Sequence, residues 1–384
     1  MDMTWGVMSH KLGCIAAEKK IPILGQFELT ARCNLQCKMC YVCRNALDKQ
    51  AISMEKTAKE WIKIAEEAMD AGMLYLLLTG GEVFIRKDFR DIYEELSKMG
   101  FIKSIYSNGT MITPQIAKWL GSMPPAQIDI TLYGGSPKTY GKVCGDESGF
   151  ERALQGIDLL LAEGINVQIR TSVIKENQED FERLAELAEK RGVDLSIVNY
   201  ISPRREGFCT NPEGERLNPK DLVQYEWRVN NYYHNKMEKS KGEKQNKNSE
   251  DELDDFVAQP DDGHPFQCNN GKSSFWITWD GKMIPCSLLD DPYTLPFETG
   301  FSQAWRDMTK ACSCVLTCST CKQCSLRDYC MSCPARLKSE TGSFTEPASY
   351  LCEYAREMYQ LSLDNKLTGG LVNEKVHKTY FRND

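Results

Sequence analysis

The chain has 384 residues, with 47 Lys and Arg against 54 Asp and Glu, for a formal net charge of -7. That mild acidity offers nothing to offset phosphate charge, which sets nucleic acid aside as a main partner. The longest apolar run, Met73 to Leu78, is far below the roughly 20 residues a membrane span needs. The N-terminus also lacks the apolar stretch of a cleaved secretory signal, so the expected location is the cytoplasm, with no membrane partner. The length is enough for one large domain plus a smaller one.

In chain order, residues 26–200 alternate short apolar runs with amphipathic segments. FELT (27–30) reads as a strand and 54–71 as a helix, followed by a buried strand over 74–81 that ends in a glycine pair. Helix 88–99, strand 101–109, helix 113–120 opening on Thr-Pro, and strand 128–135 come next. Helix 150–163, strand 165–173, helix 178–191 and strand 193–200 complete the series. Short connections between six such units imply parallel strands with right-handed crossovers. The expected fold class is therefore α/β, a partial (β/α)6 TIM-like barrel with its chemistry at the carboxyl ends of the strands. A doubly wound open sheet is the alternative that periodicity leaves standing.

The repeat stops after Tyr200. Glu238 to Asp255 is dense in mixed charge and reads as a loop or linker. Beyond it the 17 cysteines of the chain crowd together, with seven between Cys312 and Cys333. An odd count leaves one thiol over in any full pairing, and in a reducing cytosol clustered cysteines are more often metal ligands than staples. This region is expected to be loop-rich and held by metal rather than by a core. A helix over 349–363 closes it. The expected divisions are a lead-in (1–24), the barrel (25–200), a charged linker or insertion (201–262), the cysteine-rich domain (263–352) and a final helix and tail (353–384).

Directly after the first strand, TARCNLQCKMCYVC places Cys33, Cys37 and Cys40 at C-x3-C-x2-C. Zinc sites usually draw four protein ligands from paired C-x2-C hooks, and Cys40 with Cys43 could form one such hook. Three cysteines in one loop suit three corners of a cubane, leaving one iron open to a ligand.

On these residues the chain resembles the radical S-adenosylmethionine (SAM) superfamily. The resemblance implies that Cys33, Cys37 and Cys40 hold a [4Fe–4S] cluster whose open iron chelates the methionine part of SAM. It also implies reductive cleavage of SAM to a 5′-deoxyadenosyl radical, and a flavodoxin- or ferredoxin-type reductant. Further matches fall on successive strands. Gly80-Gly81-Glu82 resembles the family's GGE motif at the SAM amino group, and Ser107-Asn108-Gly109-Thr110 its SNGT stretch near the ribose. By the same resemblance Thr131 and Arg170 are candidate SAM contacts, and Met39 stands where an aromatic residue often covers the adenine. Taken alone, GGE is a tight turn and Asn-Gly simply a turn.

The later cysteines resemble the SPASM extension, which binds two auxiliary [4Fe–4S] clusters, three in all. The resemblance assigns Cys268, Cys286 and Cys333 to the first and Cys321, Cys324, Cys330 and Cys352 to the second. Two residues rather than the usual three precede Cys333, the first cluster lacks an evident fourth ligand, and Cys312, Cys314 and Cys318 are additional to the pattern. A pair of structural zinc sites is the alternative. Cys14, Cys144 and Cys209 read as free core thiols.

Among SPASM-bearing enzymes, sulfatase maturases carry an aspartate where this chain has Ser287. The stretches LYGGSPKTYGKVCG and VQIRTSVIKEN look more like maturases of ribosomally made peptides, which form thioether, carbon–carbon or epimerised products. The expected partner is therefore a precursor peptide. Only 32 residues precede Cys33, fewer than a leader-binding winged helix requires. Leader recognition would then fall to a separate protein or to another surface. A small-molecule substrate is the competing expectation, and a non-catalytic metal-binding module a third.

Overall fold

The computed structural model describes residues 5–42, 44–205, 211–243 and 263–368. Cys43, Cys209 and most of the charged 238–255 segment lie outside them. Helix α1 (Trp5–Lys19) leads into six parallel strands, β1 (Leu24–Glu28), β2 (Tyr75–Thr79), β3 (Ile102–Ser107), β4 (Gln127–Thr131), β5 (Val167–Ser172) and β6 (Leu195–Val198). The crossovers are α2 (Ala58–Asp70), α3 (Phe89–Lys98), α4 (Pro114–Ser122), the pair α5 (Pro137–Cys144) and α6 (Ser148–Ala162), and α7 (Phe181–Arg191). Two further strands, β7 (Ser274–Ile277) and β8 (Met283–Ile284), complete one sheet in the order β8-β7-β1-β2-β3-β4-β5-β6. Its two ends do not pair, so the barrel is partial and open.

Register explains the layering. Ile105, Ile128, Ile130 and Ile169 are fully buried on the face that the crossover helices cover. On the opposite, concave face, Tyr106 stands beside Asp129 and Asp129 beside Gln168, with Thr131 beside Arg170 one step further along. A polar inner wall thus runs up to the strands' carboxyl ends.

Local sequence moves several expected boundaries. The helix expected over 54–71 starts at Ala58, where Thr57 and Glu60 form a reciprocal capping box, and a separate short helix, Lys49–Met54, precedes it. The first strand ends at Glu28, one turn of chain before the cysteine loop, and two helices rather than one follow β4. The start of the expected charged loop is instead the end of helix α8 (Pro219–Glu243).

The larger correction concerns the cysteine-rich region, whose first part is built into the main core rather than lacking one. Strand β7 pairs in parallel with β1, and Phe275, Ile277, Met283, Phe301, Trp305 and Met308 are part of the main hydrophobic core. The physical reason is the edge of β1: left unpaired, its backbone groups would need another partner. Helix α9 (Phe301–Ser313) packs on this extension against α2. In the stretch after it the core thins to a small cluster of Tyr200, Cys318, Leu337, Ala348 and Leu351 between helices α10 (Pro334–Thr341) and α11 (Ser349–Thr368). Among the described residues no helix is long and apolar enough to cross a membrane.

Candidate functional site

The three-cysteine loop is held from both ends. At its start, Arg32 donates to both oxygens of Glu55 at 2.7 and 3.0 Å and to the Ala46 carbonyl at 3.2 Å. Thr30 donates its hydroxyl to the same Glu55 and accepts from the Arg32 amide at 2.9 Å. In its middle, the amides of Gln36 and Lys38 donate to the carbonyls of Cys144 and Val143, each at 3.0 Å. These bonds lay the loop along the end of α5 and set Cys37 against the buried thiol of Cys144. Cys40 closes a turn back to the Cys37 carbonyl at 3.0 Å.

The end of β2 docks on the same loop. The Gly81 amide donates to Thr30 O at 2.7 Å and the Glu82 amide to Arg32 O at 2.8 Å. A β-carbon on Gly80 would lie 2.3 Å from Thr30 O, and one on Gly81 2.3 Å from Arg32 O. The two glycines of GGE are thus required by the protein's own backbone leading into Cys33.

Glu82 is wholly buried and brackets two motifs. Its carboxylate accepts from the Ser107 hydroxyl at 2.9 and 3.1 Å, the Asn108 amide at 2.8 Å and the Phe84 amide at 3.2 Å. Burial pushes its pKa up to about 7, against the pull of those donors. Asn108 in turn donates to Cys33 Sγ at 3.6 Å and to Asn34 Oδ1 at 2.9 Å, while Asn34 donates to Thr110 at 2.8 Å. The structure therefore brings Gly80, Gly81, Glu82, Ser107 and Asn108 together around Cys33.

The remaining SAM candidates sit apart from that bracket. Thr131 and Arg170 lie side by side on the concave wall. Arg170 faces Asp129 at 3.9 Å and stacks over Tyr106 at 4.6 Å, so its guanidinium already has protein partners. Met39 is packed into the main core.

The loop's donor set fits a [4Fe–4S] cluster. Cys33, Cys37 and Cys40 are partly buried, and Cys33 lies within electrostatic reach of both others. The Leu35 amide points at Cys33 Sγ at 3.4 Å, a donor suited to a cluster thiolate. Burial, reinforced by Glu82, holds the bare Cys33 thiol well above its ordinary pKa. Among the described residues no three His, Cys, Asp or Glu side chains close around one metal position, and a cubane, whose thiolates bind different irons, does not require it.

The C-terminal cysteines fall into two groups. Cys286, buried and pushed up to about 12, senses Cys333 and Cys268. Cys321, likewise pushed up to about 12 by burial, senses Cys318, Cys352 and Cys330, and Cys352 senses Cys330 and Cys324. Cys333, despite its shortened spacing, stands with the first group and caps α10, accepting from the Arg336 amide at 3.4 Å.

The family profile agrees with this geometry: residues 27–188 match that of the Radical SAM superfamily. They are a radical SAM domain. The domain implies a [4Fe–4S] cluster, and the proteins similar to this chain are enzymes. An AdoMet-dependent heme synthase of Methanosarcina barkeri is 26% identical over 349 residues, covering 87% of this chain and 97% of the relative. The subtilosin biosynthesis protein AlbA of Bacillus subtilis is 23% identical over 282 residues, and the match spans 72% of this chain but only 58% of AlbA. In structure, Streptococcus suis SuiB bound to SAM superposes with a TM-score of 0.67 at 18% identity, covering 90% of this chain and 81% of SuiB, a likeness of fold.

Sequence reasoning passed over several residues that the domain's site uses. Asn34 links Cys33 to the SNGT turn. Glu55, on an intervening helix end, anchors the loop's start. Arg204 donates to the Cys40 carbonyl at 3.0 Å, and its neighbour Arg205 pairs with the fully buried Glu28 at 2.8 and 3.0 Å. An Arg-Arg pair just past the sixth strand was the available signal. Glu28 and Glu55 carried none, since their roles depend on partners far along the chain.

Proposed function

We propose that this chain is a radical SAM enzyme that abstracts hydrogen from a peptide or protein side chain to install a thioether, a carbon–carbon crosslink or an epimerised residue. Cys33, Cys37 and Cys40 would hold the SAM-binding cluster, with Cys268, Cys286 and Cys333 on one auxiliary cluster and Cys321, Cys324, Cys330 and Cys352 on another. When bound and reduced, that first cluster supplies the electron that splits SAM into methionine and a 5′-deoxyadenosyl radical. The observation that carries the reading is the convergence of GGE and SNGT on Cys33 through Glu82 and Asn108.

The protein's own part is placement. Gly80 and Gly81 let the end of β2 press on the loop, Asn108 orients Cys33, and the bracket holds two loops at one distance. Thr131 and Arg170 are proposed SAM contacts on the concave wall, and Met39 a neighbour of the adenine. In such a site positioning matters more than acid–base groups.

The peptide assignment draws on AlbA, named for biosynthesis of the bacteriocin subtilosin, and on a PqqA peptide cyclase of Ruegeria pomeroyi. SuiB, alike in fold, has also been solved with its precursor peptide SuiA. A second reading, a small-molecule substrate, is favoured by the length match to the heme synthase, 97% of which aligns. Ser287 weighs against the sulfatase-maturase branch. A cytoplasmic setting, a flavodoxin- or ferredoxin-type reductant and a separate leader-binding protein complete the proposal.

The test is the Cys33→Ala, Cys37→Ala, Cys40→Ala variant. The parent chain, reduced anaerobically with SAM, should release 5′-deoxyadenosine, and the variant should release none. Persistent 5′-deoxyadenosine would overturn the assignment. Incubation with candidate peptides encoded nearby, read by mass spectrometry, separates the peptide reading from the small-molecule one.

A further inference from the structure

If the first auxiliary cluster is held by Cys268, Cys286 and Cys333 alone, one iron stays open to substrate. Three cysteines stand outside the assigned ligand sets nearby, and the fold separates their roles. Cys314 is exposed and lines a surface groove with Val315, Leu316 and Phe344. Cys318 turns to the second group, its sulfur accepting from the Cys321 amide at 3.4 Å. Cys312 is different: it ends the buried stripe Phe301, Ala304, Trp305, Met308, Cys312 of α9 and is fully enclosed.

What it faces is the turn that carries Cys268. The amides of Lys272, Ser273 and Ser274 all fold back to the Asn269 carbonyl at 2.9 to 3.0 Å, which makes residues 269–274 a compact loop. At its tip Gly271 has φ +69°. A β-carbon there would lie 2.5 Å from Cys312 Sγ and 3.5 Å from Pro285 Cβ, and Pro285 immediately precedes Cys286. The loop after Cys268 thus has no side chain at the point where the sulfur of Cys312 enters, and the residue before Cys286 borders the same point. Cys312 also lies within electrostatic reach of Cys268. Its thiol lies against another sulfur, Met308 Sδ, at 3.7 Å.

We propose that Cys312 is the fourth thiolate of the cluster held by Cys268, Cys286 and Cys333, so that every iron of that cluster is closed. This rests on the auxiliary-cluster part of the proposed function. A closed cluster cannot take substrate on iron, so substrate would be held by protein groups rather than by that cluster.

The test uses the full chain with Cys33, Cys37 and Cys40 replaced by alanine, reconstituted anaerobically so that only auxiliary clusters are observed. This parent should bind about eight irons, and 13C-cyanide should leave the electron paramagnetic resonance of the reduced clusters unchanged. Adding Cys312→Ala should either expose a 13C coupling from bound cyanide or remove about four irons. Cys312→Ser, which keeps the volume and offers an oxygen ligand, should retain iron with altered g values and decides the matter if the alanine variant fails to fold. Cys314→Ala should match the parent. The proposal is overturned if the parent itself couples cyanide, or if both Cys312 variants keep the parent's iron, spectrum and indifference to cyanide. A parent containing zinc or no iron is a separate result, since it removes the auxiliary clusters themselves.

Discussion

Replacing Gly81 by alanine adds one methyl group where the end of β2 meets the three-cysteine loop. The new β-carbon would stand 2.3 Å from Arg32 O, 2.6 Å from Arg32 C and 2.7 Å from Ala31 O, where ordinary contact begins at 3.4 Å. All three obstacles are backbone, so no side chain can swing aside. Gly81 does not occupy the left-handed region, and the penalty is therefore steric rather than conformational. The loop must retreat by about 1 Å, and a misplacement of that size can cost about 100-fold in rate. Overpacking of this kind lowers stability by about 1–3 kcal/mol. The assay is 5′-deoxyadenosine release by anaerobically reconstituted chain, with iron content and melting temperature measured on the same samples. Gly100→Ala is the companion: its φ is +77° and nothing lies within 4 Å of the added carbon. It should lose about 1 kcal/mol to backbone strain and keep its turnover. Full turnover and full iron in Gly81→Ala would refute the claim that β2 positions Cys33 by direct backbone contact.

Other consequences can be checked on the same preparations. Arg205→Met leaves the fully buried Glu28 without its guanidinium and should cost about 3–5 kcal/mol by chemical denaturation; Glu28→Gln added to it should restore part of the loss, and equal stabilities for the two would contradict the pairing. Arg86→Met removes donors to Leu29 O at 2.7 Å and Lys56 O at 3.0 Å and breaks its pair with Asp88, a loss of about 3–5 kcal/mol for a nearly buried cation. Glu82 has a folded-state pKa near 7, above the ordinary 4.5. Its stabilising contribution is therefore complete below pH 4.5 and declines as pH rises through 7, so Glu82→Gln should flatten that part of a melting-temperature curve. Stripping the iron with a chelator should make residues 314–346 the first site of proteolysis, because little core holds them; unchanged resistance would show that metal is not what orders this stretch.

The alternation of apolar runs and amphipathic helices over 26–200 made the barrel legible without coordinates, since each crossover helix needs a continuous face and each buried strand a short apolar run. Boundaries were less legible where side chains act locally, as at Thr57 and Glu60, whose reciprocal cap starts at Ala58 a helix expected from residue 54. The GGE and SNGT segments were visible as patterns, but their meeting at Glu82 was not, because the two lie 25 residues apart and are joined only when β2 and β3 pair.

The pairing of β7 with β1 joins residues some 250 positions apart, and hydrogen bonds of that separation leave no periodic trace in either segment. Cysteine spacing likewise named the ligand types and could not rank Cys312, Cys314 and Cys318, since spacing describes distance along the chain whereas a cluster responds to distance in space. Residue identity and spacing set the chemistry available to this protein: three thiols on one loop, glycines at one strand end and an Asn-Gly turn at the next. Which of those groups share a volume came from folding, because burial and sheet order set what each thiol and carboxylate can touch.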